Sequence, residues 1–249
     1  MRTERLWEID SLRGIAIILM VVSNLVTDVA YFRIFEVDAY SGFWLYFAWV
    51  VVSMFILLAG VSLTLSYSRV RDRKPREIRK KFLFRGGKIF GLGMLITVVT
   101  WFFLGRDFVL FGILHLIGIS IILGHFLIRR RLANLLLGHA LIFSGIALQY
   151  FSFSFPWLVW LGFRPENYYT VDYVPLLPWF GVFLIGIYLG NALYPGGKRR
   201  FKLPDVSGSS LLTPLRFLGR NSLLIYVLHQ PILIAILWLL FPFPQGFPL

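Results

Sequence analysis

Residues 43–88 read FWLYFAWVVVSMFILLAGVSLTLSYSRVRDRKPREIRKKFLFRGGK. The stretch from Phe43 to Ser66 carries no charged residue. As a helix rising ~1.5 Å per residue it is long enough to cross a hydrocarbon core of ~30 Å. The next stretch is the reverse: ten Lys and Arg lie between Arg69 and Lys88. An uncharged run that ends in a basic loop reads as a membrane span anchored on its cytoplasmic side. Six more apolar segments surround it, at 14–32, 87–104, 108–128, 132–151, 173–194 and 221–241. Basic residues recur in alternate gaps: Arg2, Arg5 and Arg13; the 67–88 loop; Arg129, Arg130 and Arg131; and the 195–220 gap. The remaining gaps hold only Arg33, Arg106 and Arg164, so 22 of the 25 Lys and Arg fall on one side. The expectation is an all-α, polytopic transmembrane bundle of about seven spans. Its N-terminus is cytoplasmic and its C-terminus outside.

Composition agrees. The chain is 58% hydrophobic and 15% charged, with a mean hydropathy of +0.76, far from a soluble domain. The net charge of +13 is the sum of loops sorted to one side. It points to anionic lipid headgroups or a cytosolic polyanion and not to nucleic acid. There is no cysteine, which excludes disulfides, thiolate metal sites and a cysteine nucleophile. The four histidines are too scattered for a metal site. The basic, apolar N-terminus lacks a small-residue cleavage site and reads as an uncleaved first span in the cell membrane. With no repeat and no Gly/Ser linker, residues 1–249 read as one domain. Residues 76–88 predict a helix lying on the inner leaflet, with Ile78, Phe82 and Leu83 on its apolar side. The aromatic 152–172 gap predicts an interfacial or re-entrant segment. Gly87xxxGly91 and Gly186xxxGly190 are spacings that suit close helix packing.

Polar groups inside apolar spans are costly, and each one is a functional candidate. Asn24 lies near the midplane of span one, with Asp28 one turn further out. His115 enters span four from outside, seven residues after Phe108, and His229 enters span seven from inside. By residue count these groups reach similar depths. The plain alternative for each is a hydrogen bond that holds helices together. Asp172, Tyr173 and Trp179 stand at the outer mouth of span six. There Pro178 disturbs the first turn and frees carbonyls toward a cavity. Asp10 and Arg13, at i, i+3, can pair at the cytoplasmic entry of span one. No phosphate loop, GxSxG, HExxH or dinucleotide fingerprint is present.

Four pieces of the chain resemble one family. They are Glu8-Ile9-Asp10-Ser11-Leu12-Arg13-Gly14-Ile15-Ala16; Phe55-Ile56-Leu57-Leu58-Ala59-Gly60-Val61-Ser62-Leu63; and Phe111-Gly112-Ile113-Leu114-His115-Leu116-Ile117-Gly118. The fourth joins Asp172–Gly181 to Leu218–Pro231. Together they are similar to the heparan-alpha-glucosaminide N-acetyltransferase catalytic-domain family in its short prokaryotic form. The resemblance implies acyl transfer in the bilayer, from cytosolic acetyl-CoA to a hydroxyl or amine of a sugar or lipid-linked acceptor. The chain departs from the family at Asn24, where many relatives carry histidine. It departs again in residues 33–43, which hold no histidine although the animal enzyme uses one there.

On this reading His115 is the first choice of general base, His229 is the second, as base or as the residue that orients the thioester, and Asn24 steadies the oxyanion. Arg13, Arg85, Lys88, Arg129, Arg130 and Arg220 are candidates for the phosphates of the cofactor. Asp28, Asp172, Tyr173 and Trp179 are candidates to contact the substrate. The expected partners are membrane lipids, acyl-CoA and the acceptor, with a homodimer left open. The competing reading is a transporter or flippase for a polar lipid or small solute, because transport sites also lie near the midplane. Against it, no inverted repeat is visible.

Overall fold

The computed structural model describes residues 6–166, 168, 170–204, 206, 209–210 and 212–241. Arg2 and Arg5 of the basic tally, Tyr169 of the aromatic gap and Leu249 lie outside them. Eight α-helices occur among the described residues: α1 Trp7–Tyr31, α2 Gly42–Ser68, α3 Pro75–Leu104, α4 Ile113–Leu127, α5 Arg131–Leu148, α6 Leu176–Leu193, α7 Leu212–Arg220 and α8 Ser222–Leu240. Pairing of extended backbone among them is confined to two isolated bridges, Phe111 to Tyr173 and Phe153 to Pro165. The protein is all-α, and six helices are long and apolar enough to cross a membrane. Helices suit these segments because a helix satisfies every backbone polar group internally, which an apolar medium demands.

Three elements differ from the sequence reading. The basic 76–88 segment does not lie apart on the membrane surface; it is the first half of α3, a continuous helix of 30 residues. Span four is shorter than expected. α4 has 15 residues, ~22 Å at the usual rise, because residues 108–112 leave the helix to run extended. The 195–220 gap, read only as a basic connection between spans, contains the separate helix α7.

The chain divides into two compact units; it passes from the first to the second inside α2, between Leu58 and Ala59, and returns to the first between Lys202 and Leu203. In the first unit, α1 packs along α7 and α8. The α1–α7 crossing is set by two glycines. A β-carbon on Gly14 would stand 2.1 Å from the Leu215 carbonyl oxygen, and one on Gly219 would stand 1.8 Å from that of Asp10. Only a residue without a side chain lets the backbones approach this closely. Further along, Ile17, Met20 and Val51 are buried against Phe47, Phe55, Ile225 and Tyr226.

In the second unit α3 packs on α4 and α5 on α6, with α4 also against α6. Phe82, Leu116, Phe183, Leu184 and Ile187 are wholly buried. The Gly186xxxGly190 spacing does serve close packing, since Thr64 of α2 sits against Gly190. The other spacing does not, because the space beside Gly87 and Gly91 is open.

Candidate functional site

In the first unit, α1 and α8 bring two pairs of polar side chains together. Asn24 Nδ2 lies 2.7 Å from His229 Nε2. One turn along α1, Asp28 Oδ1 accepts a 2.6 Å hydrogen bond from Gln230 Nε2. Adjacent residues on α8 thus face residues four apart on α1. His229 Nδ1 is 2.6 Å from the Tyr226 carbonyl oxygen. A carbonyl only accepts, so Nδ1 carries the proton. In the neutral ring the lone pair is then on Nε2, and it accepts from the Asn24 amide. His229 is 8% exposed, and its orientation is fixed by backbone on one side and amide on the other. Asp28 is likewise buried, and its second oxygen, Oδ2, has no hydrogen-bond partner among the described residues. Such an orphan is expensive in a dry interior.

The same unit holds an ion cluster near the start of α1. Asp10 is buried and pairs with Arg13 at 3.8 Å and with Arg220 at 3.3 Å. Sequence reasoning expected the i, i+3 pair. It did not expect Arg220, which α7 carries back onto α1. The two arginines share the Asp10 carboxylate.

In the second unit His115 is the third residue of α4, in its first turn, and not two turns deep as counting from Phe108 suggested. Its Nδ1 accepts the Gly112 N–H at 3.1 Å. Its Nε2 is 3.2 Å from Thr97 Oγ1. The Thr97 hydroxyl donates its one proton to the Val109 carbonyl at 2.7 Å, so at His115 it acts as acceptor and Nε2 carries the hydrogen. Both ring nitrogens are therefore occupied, and the ring stacks on Phe111 and meets Phe90 edge-on. His115 is 1% exposed.

Asp172 completes the same helix start. The Ile113 N–H donates to its carboxylate, and burial pushes its pKa up to about 6. Asp172 Oδ2 would be 2.3 Å from a β-carbon on Gly112, which explains a glycine at that position. The carboxylate satisfies a helix N-terminal N–H that has no intrahelical partner. The Val174 N–H bonds the Phe111 carbonyl and the Tyr173 hydroxyl donates to the Val159 carbonyl. Asp172 and Tyr173 thus tie three segments of this unit together. Trp179 is half-buried on α6.

The remaining basic candidates also lie in this unit. Arg129 donates to the Tyr67 hydroxyl and lies over its ring. The Lys88 ammonium lies 4.5 Å from the centroid of Phe84. Arg85 is half-buried and Arg130 exposed. Among the described residues no group of three or more His, Cys, Asp or Glu is arranged to hold a metal ion. Two residues that complete the polar contacts, Gln230 and Thr97, drew no attention in the sequence. Gln230 had a signal, since it is a second polar residue beside His229 in an apolar helix. Thr97 had none, because a lone threonine in a span usually bonds its own helix.

These features define an all-helical membrane protein with hydrogen-bonded polar pairs inside apolar helices. The model of the family described as heparan-alpha-glucosaminide N-acetyltransferase, catalytic, matches residues 5–231, and the chain belongs to that family. No curated protein and no solved structure matches it.

Proposed function

We propose that this protein is a membrane acyltransferase that moves an acyl group, acetyl in the first instance, from acyl-CoA to a hydroxyl or amine of a sugar or lipid-linked acceptor. The observation that carries the reading is the Asn24–His229 pair on α1 and α8, in a chain of an acyltransferase family. The base is His229 and not His115, because the His115 lone pair, on Nδ1, accepts a backbone N–H at the start of its own helix, whereas the His229 lone pair, on Nε2, is held only by a side-chain amide that can be displaced. In His229 the Tyr226 carbonyl fixes the proton on Nδ1 and leaves Nε2 as the basic atom.

In the transfer, the acceptor hydroxyl or amine displaces the Asn24 amide from His229 Nε2. Its oxygen or nitrogen attacks the thioester carbonyl carbon while Nε2 takes its proton. The freed Asn24 N–H donates to the carbonyl oxygen as negative charge develops there. The tetrahedral intermediate then collapses, the C–S bond breaks, and the imidazolium returns the proton to the departing thiolate. Asp28 Oδ2, buried and without a partner among the described residues, offers a hydrogen-bond acceptor to a second donor on the acceptor molecule.

Among the basic candidates for the cofactor phosphates, Arg13 and Arg220 lie in the unit that holds His229, where they share the Asp10 carboxylate. The test is transfer of radiolabel from acetyl-CoA into a membrane extract by purified protein. Label in the extract that depends on His229 supports the reading. Uptake into liposomes without label transfer would replace it with the transporter.

A further inference from the structure

The N-terminal half of α3 carries a feature that acyl transfer does not use. Arg76, Arg79, Lys80, Leu83 and Phe84 line an open cavity of about 680 Å³. All five are exposed. No ion pair within 4.0 Å joins Arg76, Arg79 or Lys80 to an acidic residue among the described residues, while the nearby Asp72 is taken by Arg71. Lys81 reaches the Ser66 carbonyl, and Arg85 is half-buried. The only acid on α3 is Glu77.

The position of the cavity along the helix is equally specific. α3 is ~45 Å long at the usual rise, about 15 Å more than a hydrocarbon core. The surplus is the polar half, so the three cations stand at headgroup level and Leu83 and Phe84 stand one turn closer to the apolar half. The same exposed face continues past the open space at Gly87 and Gly91 to Leu95, Val98 and Phe102.

We propose that this cavity binds the headgroup of an anionic phospholipid, whose phosphate is held by Arg76, Arg79 and Lys80 and whose acyl chains run along the apolar half of α3. Phosphate matches guanidinium and ammonium in charge and hydrogen bonding. Glycerol and acyl carbons match Leu83 and Phe84. A second copy of the chain does not fit the face as well, because it would set its own three cations against these three.

Wild-type protein and the triple variant Arg76→Gln, Arg79→Gln, Lys80→Gln are to be purified in mild detergent from membranes containing phosphatidylglycerol. Retained lipid is counted by mass spectrometry, and the melting temperature is followed as phosphatidylglycerol or phosphatidylcholine is added. The control is Lys198→Gln, Arg199→Gln, Arg200→Gln, an equal loss of charge elsewhere. Wild type and control should retain phosphatidylglycerol and gain melting temperature with it but not with phosphatidylcholine. The triple variant should need on the order of 100-fold more lipid for the same response, about fivefold per lost charge. Equal retention by the triple variant overturns the proposal. So does equal loss in the control, which means diffuse charge only, and so does displacement of the lipid by coenzyme A, which assigns the cavity to the acyl donor. Leu83→Ala with Phe84→Ala leaves every charge in place and should also lower retention, so the outcome does not hang on one variant folding.

Discussion

Removing the imidazole of His229 tests the proposed chemistry most directly. His229→Ala should lower turnover by about 10²–10⁴-fold, the usual scale for a general base, with the melting temperature kept as a check on folding. Asn24→Ala should cost less, because it removes one donor to the oxyanion and frees Nε2 at the same time. His115→Ala should behave differently. It leaves the Gly112 N–H and the Thr97 hydroxyl short of a partner in a buried place, so the loss should appear first in melting temperature. Turnover lost on His115→Ala at unchanged melting temperature would return the base to His115. Asp172 gives a pH test. Its pKa is raised to about 6 from an ordinary 3.8 by burial, so the folded state favours the protonated acid. Below the ordinary value both states are protonated and the group costs nothing. As pH rises toward 6 the unfolded chain ionises first and stability falls, by on the order of 3 kcal/mol at most. Melting curves from pH 4 to 7 should therefore decline in wild type relative to Asp172→Asn, and parallel curves would refute the assignment.

At the level of elements, close crossings decide which helices meet. Gly14 and Gly219 let α7 lie against α1, and this crossing carries Arg220 to Asp10. Gly14→Val puts a branched side chain into the Leu215 carbonyl. It should destabilise the protein by several kcal/mol, as overpacking at a fixed backbone contact does, with loss of yield and melting temperature as the readout. Gly87→Val on the open face of α3 should leave both unchanged. The two glycines look alike in sequence and differ only in what stands opposite. α4 is short for a related reason. Its N-terminus is fixed by Gly112, His115 and Asp172. Residues 108–112 bond to the 170–174 segment instead of extending the helix.

For the whole molecule the sorting of charge is the governing fact. With 22 of 25 basic residues in alternate gaps, a reporter near Lys74 should behave as cytoplasmic and one after Leu249 as extracytoplasmic. A cytoplasmic signal at both places would mean an even number of crossings, with the short α4 the first to be reconsidered.

Sequence alone determined the fold class, the approximate spans and the list of polar residues inside them. Those properties are local: an uninterrupted apolar run fixes a helix, and a histidine in it is conspicuous wherever it points. The partnerships came only with the tertiary structure. Residue counting gave Asn24, His115 and His229 similar depths, yet azimuth around each helix decides contact, and composition does not encode it. Nor does it tell a histidine whose lone pair accepts a backbone N–H from one whose lone pair is held by a side-chain amide. That difference rests on Thr97, Val109 and Tyr226, whose backbone and hydroxyl groups come into range only once the helices have packed.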